Sequence, residues 1–220
     1  MSRKPLYEVF ERLYAGFGPQ HWWPARTEYE VMVGAVLTQN TAWRNVERAI
    51  DNLRAADLLH PEVVLTLPVE DLADYLRPAG YFNVKARRLR HLTAGLLEDG
   101  GAAAWRRMPA DDLRRRLLGI NGVGEETADC ILLYVFGHPV FVVDAYTRRV
   151  FTRLGLLRGD ESYGEIAALF HERLPRDASL FNEYHALIVR LGNRVCRPRP
   201  RCPDCPLRSV CPAADGMAEQ

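Results

Sequence analysis

Four cysteines crowd one end of the chain. Cys196, Cys202, Cys205 and Cys211 follow the pattern C-x5-C-x2-C-x5-C within sixteen residues. Four thiolates this close together can surround one metal centre, either zinc or an iron–sulfur cluster. Structural zinc commonly pairs two C-x2-C knuckles, and only one such short spacing occurs here. The long–short–long spacing therefore favours a [4Fe–4S] cluster over zinc. Without a secretory leader pattern, clustered cysteines read as ligands before disulfides. The fifth, Cys130, lies in an apolar helical stretch and reads as a packed core residue.

Two further constellations could do chemistry. The stretch from Leu117 to Ala128 places Gly122 and Gly124 between two helical segments. Glycines permit positive φ and close backbone approach, and the free amides of the helix that follows can hold a phosphate without reading sequence. A tight αα-hairpin with no ligand reads from the same residues. Sixteen residues past Ala128 comes Asp144, delivered by the apolar run Val140–Val143 to a helix start. Aspartate is a good helix cap, and that role alone would explain it. A carboxylate at a helix N-terminus also stays ionised, so it could stabilise an oxocarbenium-like sugar or orient a water.

The elements that must position these groups are helical almost throughout. Tyr29, Met32, Val33, Val36 and Leu37 fall at helical spacing, as do Leu89, Leu92 and Leu96, then Ile131, Leu132, Val135 and Phe136. Prolines such as Pro24, Pro61, Pro109 and Pro139 suit the boundaries. The reading is an all-α chain of roughly ten short helices, with Val140–Val143 as a buried extended connector and a disordered tail after Pro212. The 220 residues are 48% hydrophobic and 26% charged, an ordinary balance for a packed core. No apolar run has transmembrane length, so no membrane partner and a cytoplasmic location are expected. Net charge is only +1, but Arg190, Arg194, Arg197, Arg199, Arg201 and Arg208 face Asp204 alone. Arg197, Arg199 and Arg201 are therefore candidate phosphate contacts; a solvated charged tail is the alternative. Lysine is scarce: Lys4 and Lys85 are the only two.

Hairpin, following aspartate and four-cysteine loop, in this order, resemble the endonuclease III branch of the helix-hairpin-helix (HhH-GPD) DNA glycosylases. Leu37-Thr38-Gln39-Asn40-Thr41, Gly80-Tyr81-Phe82-Asn83-Val84-Lys85-Ala86 and Tyr184-His185-Ala186-Leu187-Ile188 add to the match, which runs from about Trp22 to Cys211. The resemblance implies a two-lobed all-α fold. A six-helix barrel near residues 24–136 would pack on a cluster lobe made of 1–23 and 137–220, with the cluster loop at 196–211 and the active site in the cleft between. It makes Asp144 the catalytic carboxylate. It places Gln39 and Tyr81 where side chains wedge into a duplex from which a base has been flipped. A surface aromatic at a turn is the other reading of Tyr81.

One departure decides the chemistry expected. The family's lyases carry a Schiff-base lysine in a G-x-K-T-A arrangement, and here that slot is Glu126. Amine attack on the sugar has no obvious source, so a monofunctional, water-using glycosylase is expected. Glu126 reads equally as a group that polarises the water and as a solvated helix residue.

Trp22-Trp23-Pro24, Trp43 and the stretch around Glu126 and Asp129 are also similar to the bacterial 3-methyladenine glycosylases of the endonuclease III type. That resemblance implies an aromatic pocket of Trp22, Trp23 and Trp43 for an alkylated purine, whose positive ring gains about 0.5–2 kcal/mol on tryptophan. Plain core packing is the alternative. The expected protein is thus a monomer acting on double-stranded DNA that bears a damaged base. An endonuclease III homologue acting on oxidised pyrimidines, and a non-catalytic damage-binding or redox-sensing module, are the competing readings.

Overall fold

A computed structural model describes residues 4–216. In chain order its α-helices are α1 Lys4–Phe17, α2 Glu28–Leu37, α3 Trp43–Ala55, α4 Pro61–Thr66, α5 Val69–Tyr75, α6 Phe82–Glu98, α7 Ala102–Arg107, α8 Ala110–Leu118, α9 Glu125–Tyr134, α10 Ala145–Arg153, α11 Tyr163–Arg173, α12 Ala178–Arg194 and α13 Ala213–Gly216. Short 3-10 turns lie at Arg77–Ala79, Cys202–Asp204 and Arg208–Val210. No described residue is in a strand, and the fold is all-helical. The thirteen α-helices among the described residues exceed the ten expected because α4, α7 and α13 are too short to show a period. The tail expected to be disordered begins with the helical turn α13, and its last four residues lie outside the described ones. No helix among the described residues is long and apolar enough to cross a membrane.

The chain forms two compact units: Trp23–His138, and the residues up to Trp22 together with those from Pro139 onward. The middle unit is organised on α2. All of Tyr29–Leu37 is buried, with α3, α6 and α9 packed around it. An all-round apolar helix can only be central, since no face of it suits water. Its polar groups are paired: Tyr29 Oη and Thr93 Oγ1 share a 2.6 Å bond, and Glu30 meets Arg54 at 2.6 Å. Lys85, on α6, is buried too. Its Nζ donates to Leu37 O at 2.9 Å and Ala79 O at 2.8 Å, tying α6 to the end of α2.

The unit of the chain ends packs α12 against α1 and α10. Its core is aromatic: Phe141 stacks on Phe170 at 3.7 Å and meets Phe181 and Tyr184 edge-on. Tyr184 Oη donates to Leu6 O at 2.6 Å, pinning α1 to α12. The connector before Asp144 is extended, with Phe141, Val142 and Val143 all buried. Buried extended backbone without a sheet must bond elsewhere. Phe141 N donates to His171 Nε2 at 2.8 Å and Val143 N to Tyr163 Oη at 3.3 Å, both supplied by α11.

Burial, with the Arg88 charge nearby, pushes the Lys85 ammonium down from 10.5 to about 8. Between those values the unfolded chain binds more protons than the folded one, so this group makes stability rise with pH. Urea unfolding of wild type and Lys85→Met should therefore diverge from pH 8 to pH 10, the wild type gaining relative to the variant. A constant difference over that window would show that Lys85 does not titrate there.

Candidate active site and DNA-contacting hairpin

The hairpin joins α8 to α9. Gly122 sits at φ +89°, and a Cβ there would meet Arg88 Cγ at 2.3 Å, so only glycine fits. Gly124 differs from the expectation of positive φ at both glycines. It is the N-cap of α9 at φ −94°, extended backbone open to any residue. Nothing lies within 4 Å of where its Cβ would be, and no side chain caps α9. The first amides of α9 have no bond within the helix, as at any helix start. Asp129, nearly fully buried, holds Arg114 at 2.7 Å and 3.2 Å through two nitrogens and so clamps α8 to α9.

Gln39 is half-buried rather than free-standing. Its Nε2 donates to Gly122 O at 3.1 Å and Thr127 Oγ1 at 3.0 Å, while Arg88 donates to its Oε1. The residue expected to enter the duplex braces the hairpin here. Tyr81 is 71% exposed and left-handed at φ +47°, directly before α6. A non-glycine held there stores strain of about 1–3 kcal/mol, a cost often met at functional positions.

Trp23 and Trp43 come together, T-shaped at 5.1 Å, and Trp23 also meets Tyr134 at 5.1 Å. Gly34 makes room, since a Cβ there would lie 2.8 Å from Trp23 Cζ2. All three rings are half-buried, and so is Trp22, which belongs to the other unit. Tyr134 was not legible as a partner of the tryptophans. A signal existed, because Glu126, Cys130 and Tyr134 follow i, i+4, i+8 along α9. Glu126 itself is exposed in the first turn of α9.

Asp144 is buried at the N-cap of α10. Its Oδ1 accepts from Thr147 N at 2.7 Å and Thr147 Oγ1 at 2.9 Å, and Oδ2 stands 3.5 Å from His185 Nε2. Burial works against its charge. His185 and the two Thr147 bonds outweigh that and hold the carboxyl below the usual aspartate range. His185 belonged to a matched stretch in the sequence, but its place beside Asp144 emerges only in three dimensions.

The same helix reaches the cysteine loop. Arg149 donates to Cys196 O and Gly192 O, each at 2.8 Å. Arg153 reaches Cys196 Sγ at 3.3 Å and the carbonyls of Arg197 and Pro198. Cys196, Cys202, Cys205 and Cys211 all line one small pocket. Burial pushes the Cys205 and Cys211 thiols up. No group of three or more such side chains among the described residues converges as single-ion ligands would. Arg197, Arg199 and Arg201 are exposed on this loop.

Residues 33–176 match the model of the HhH-GPD superfamily base excision DNA repair proteins. The chain belongs to that family. A Methanocaldococcus jannaschii protein assigned as a DNA repair glycosylase is 46% identical over 209 residues, 94% of this chain and 95% of that one. An endonuclease III solved in a non-covalent complex with DNA matches with TM-score 0.84 over the whole of both chains, at 24% identity. An H. pylori 3-methyladenine DNA glycosylase bound to 1,N6-ethenoadenine matches with TM-score 0.75 at 27% identity, over 86% of this chain and 97% of that one. The protein is a base-excision DNA repair glycosylase of the HhH-GPD family with the endonuclease III fold.

Replacing Thr147 by valine removes one donor to Asp144 Oδ1 and keeps the backbone bond. The carboxyl pKa then rises, so the ionised form is lost at a higher pH as the solution is acidified. The acid limb of the base-release pH profile should move upward. An unshifted limb would separate the titrating group from Asp144.

Proposed function

We propose that this glycosylase is monofunctional: it flips a damaged base and hydrolyses the N-glycosidic bond with water, using Asp144, on alkylated purines such as 3-methyladenine. The observation that carries the proposal is the buried aspartate held ionised at the start of α10. A fixed negative charge stabilises the oxocarbenium character that develops as the bond breaks, without reorganising when it does.

Lysine chemistry finds no support in the middle unit. Lys85 is 1% exposed and spends its protons on two carbonyls, so it is no nucleophile for a sugar. Glu126 takes the position of the family's lysine and serves to polarise the water. For the substrate class, the Trp23–Trp43–Tyr134 cluster provides faces for a flat cationic ring. An alkylpurine cation already has a weakened glycosidic bond, so little leaving-group protonation is needed. The likeness to the 3-methyladenine enzyme supports the same reading.

The cysteine loop suits a [4Fe–4S] cluster held by Cys196, Cys202, Cys205 and Cys211. Four thiols lining one pocket supply the donor set that such a cluster uses, and the long–short–long spacing supports it over zinc. The bound cluster would hold the loop and its arginines in place. Protein purified without oxidation should be brown and contain about four irons per chain; a colourless, zinc-loaded protein would refute the assignment.

The test of function is a panel of duplexes bearing 3-methyladenine, thymine glycol or a mismatch. Release of 3-methyladenine, abolished in Asp144→Asn, is expected, with no borohydride-trapped adduct on abasic DNA. Preferred release of thymine glycol would favour the endonuclease III substrate class. A robust trapped adduct would end the monofunctional reading.

A further inference from the structure

On the middle unit, α6 carries a stripe of exposed positions at helical spacing: Val84, Arg87 and His91. The stripe starts from exposed Tyr81 and ends at the hairpin, where His91 Nδ1 lies 3.3 Å from Asn121 O. A carbonyl only accepts, so that nitrogen is the donor. Arg87, Arg90 and His91 line an open groove with Val69. Arg90 is oriented by donating to Leu67 O. Arg87 makes no hydrogen bond or ion pair to any described residue, and no carboxylate among the described residues lies within ion-pair distance of the three. Exposed Arg77, Arg106 and Arg115 on this unit are compensated by Asp74, Glu28 and Asp112, whereas Arg87, unlike those three, lies in a groove with two further basic side chains.

An uncompensated cationic groove beside a phosphate-binding hairpin calls for more of the same ligand. We propose that the Arg87–Arg90–His91 groove is a second phosphodiester site. It takes the backbone of the strand gripped at the hairpin, on its way toward Tyr81. The ten residues from Tyr81 to His91 span about 15 Å of helix at about 1.5 Å each. That equals roughly four nucleotides at about 3.4 Å of rise per strand, so a strand crossing from hairpin to Tyr81 passes over Arg87. The groove touches no base and contributes affinity and register without sequence preference. This inference rests on the glycosylase reading, but it concerns a surface separate from the catalytic carboxylate.

The test measures binding of an undamaged duplex to the full-length protein by fluorescence anisotropy across a potassium chloride series. For every phosphate that is no longer neutralised, the slope of log K against log salt should fall by about 0.9. Arg87→Gln is expected to show this, and Arg87→Gln with Arg90→Gln to reduce the slope further, while release of a substrate base at saturating protein is retained. Arg106→Gln changes net charge equally and should leave the slope as in wild type. An unchanged slope in Arg87→Gln, or an equal reduction in Arg106→Gln, would overturn the proposal. Uptake of inorganic phosphate by calorimetry, abolished in Arg87→Gln while the DNA slope stays unchanged, would make the groove a free-anion site and also refute it. If wild type binds duplex and releases no base from any substrate, the catalytic reading fails while the groove is judged by its slopes alone.

Discussion

The hairpin closes because Gly122 has no side chain. Its left-handed backbone lies against the stem of Arg88, where a methyl group would overlap. That close approach lets Arg88 reach Gln39, and lets Gln39 bond both Gly122 O and Thr127 Oγ1. The end of α2, the middle of α6 and the start of α9 are thereby fixed around one turn. The pair of half-buried Arg114 and buried Asp129 adds a clamp between α8 and α9. Deleting Arg114 would be costly, because the Asp129 charge would stay behind desolvated. The turn between α8 and α9 is thereby held from three sides.

The unit of the chain ends solves a different problem, which is keeping a carboxylate charged out of water. Desolvation alone would protonate Asp144. The cap bonds of Thr147 and the neighbouring His185 reverse that preference. The aspartate is delivered by a connector whose buried amides are satisfied by side chains of α11. One helix, α10, then carries Asp144 at its start and the loop-holding Arg149 and Arg153 further along. Any change in how the cysteine loop is held acts on the same rigid element that presents the aspartate.

The two lysine-related features point the same way. The position next to the hairpin holds Glu126, and the middle unit's single lysine is consumed by structure. A buried ammonium with a depressed pKa is often catalytic, and here the geometry argues otherwise. Both acceptors of Lys85 are backbone carbonyls that would be orphaned without it. The shift is the cost of fastening α6 to α2.

Much was legible in one dimension because it is local. Helical spacing and proline punctuation report an all-α chain, and Asp144 before a helix reports a cap. Each depends on neighbours along the chain, which is what a sequence records. The short α4 and α7 escaped because six residues carry less than two turns of pattern. What only the tertiary structure decided are meetings between distant segments: Gln39 bonded to a carbonyl 83 residues away, Tyr134 joining Trp23, and His185 beside Asp144. The uncompensated charge of Arg87 is of the same kind, since a missing ion-pair partner can be seen only once every neighbour is in place. The sequence by itself determined which chemical groups the protein owns and which lie near helix ends. Packing decided their partners, and with them which groups are free to meet DNA and which are spent holding the fold.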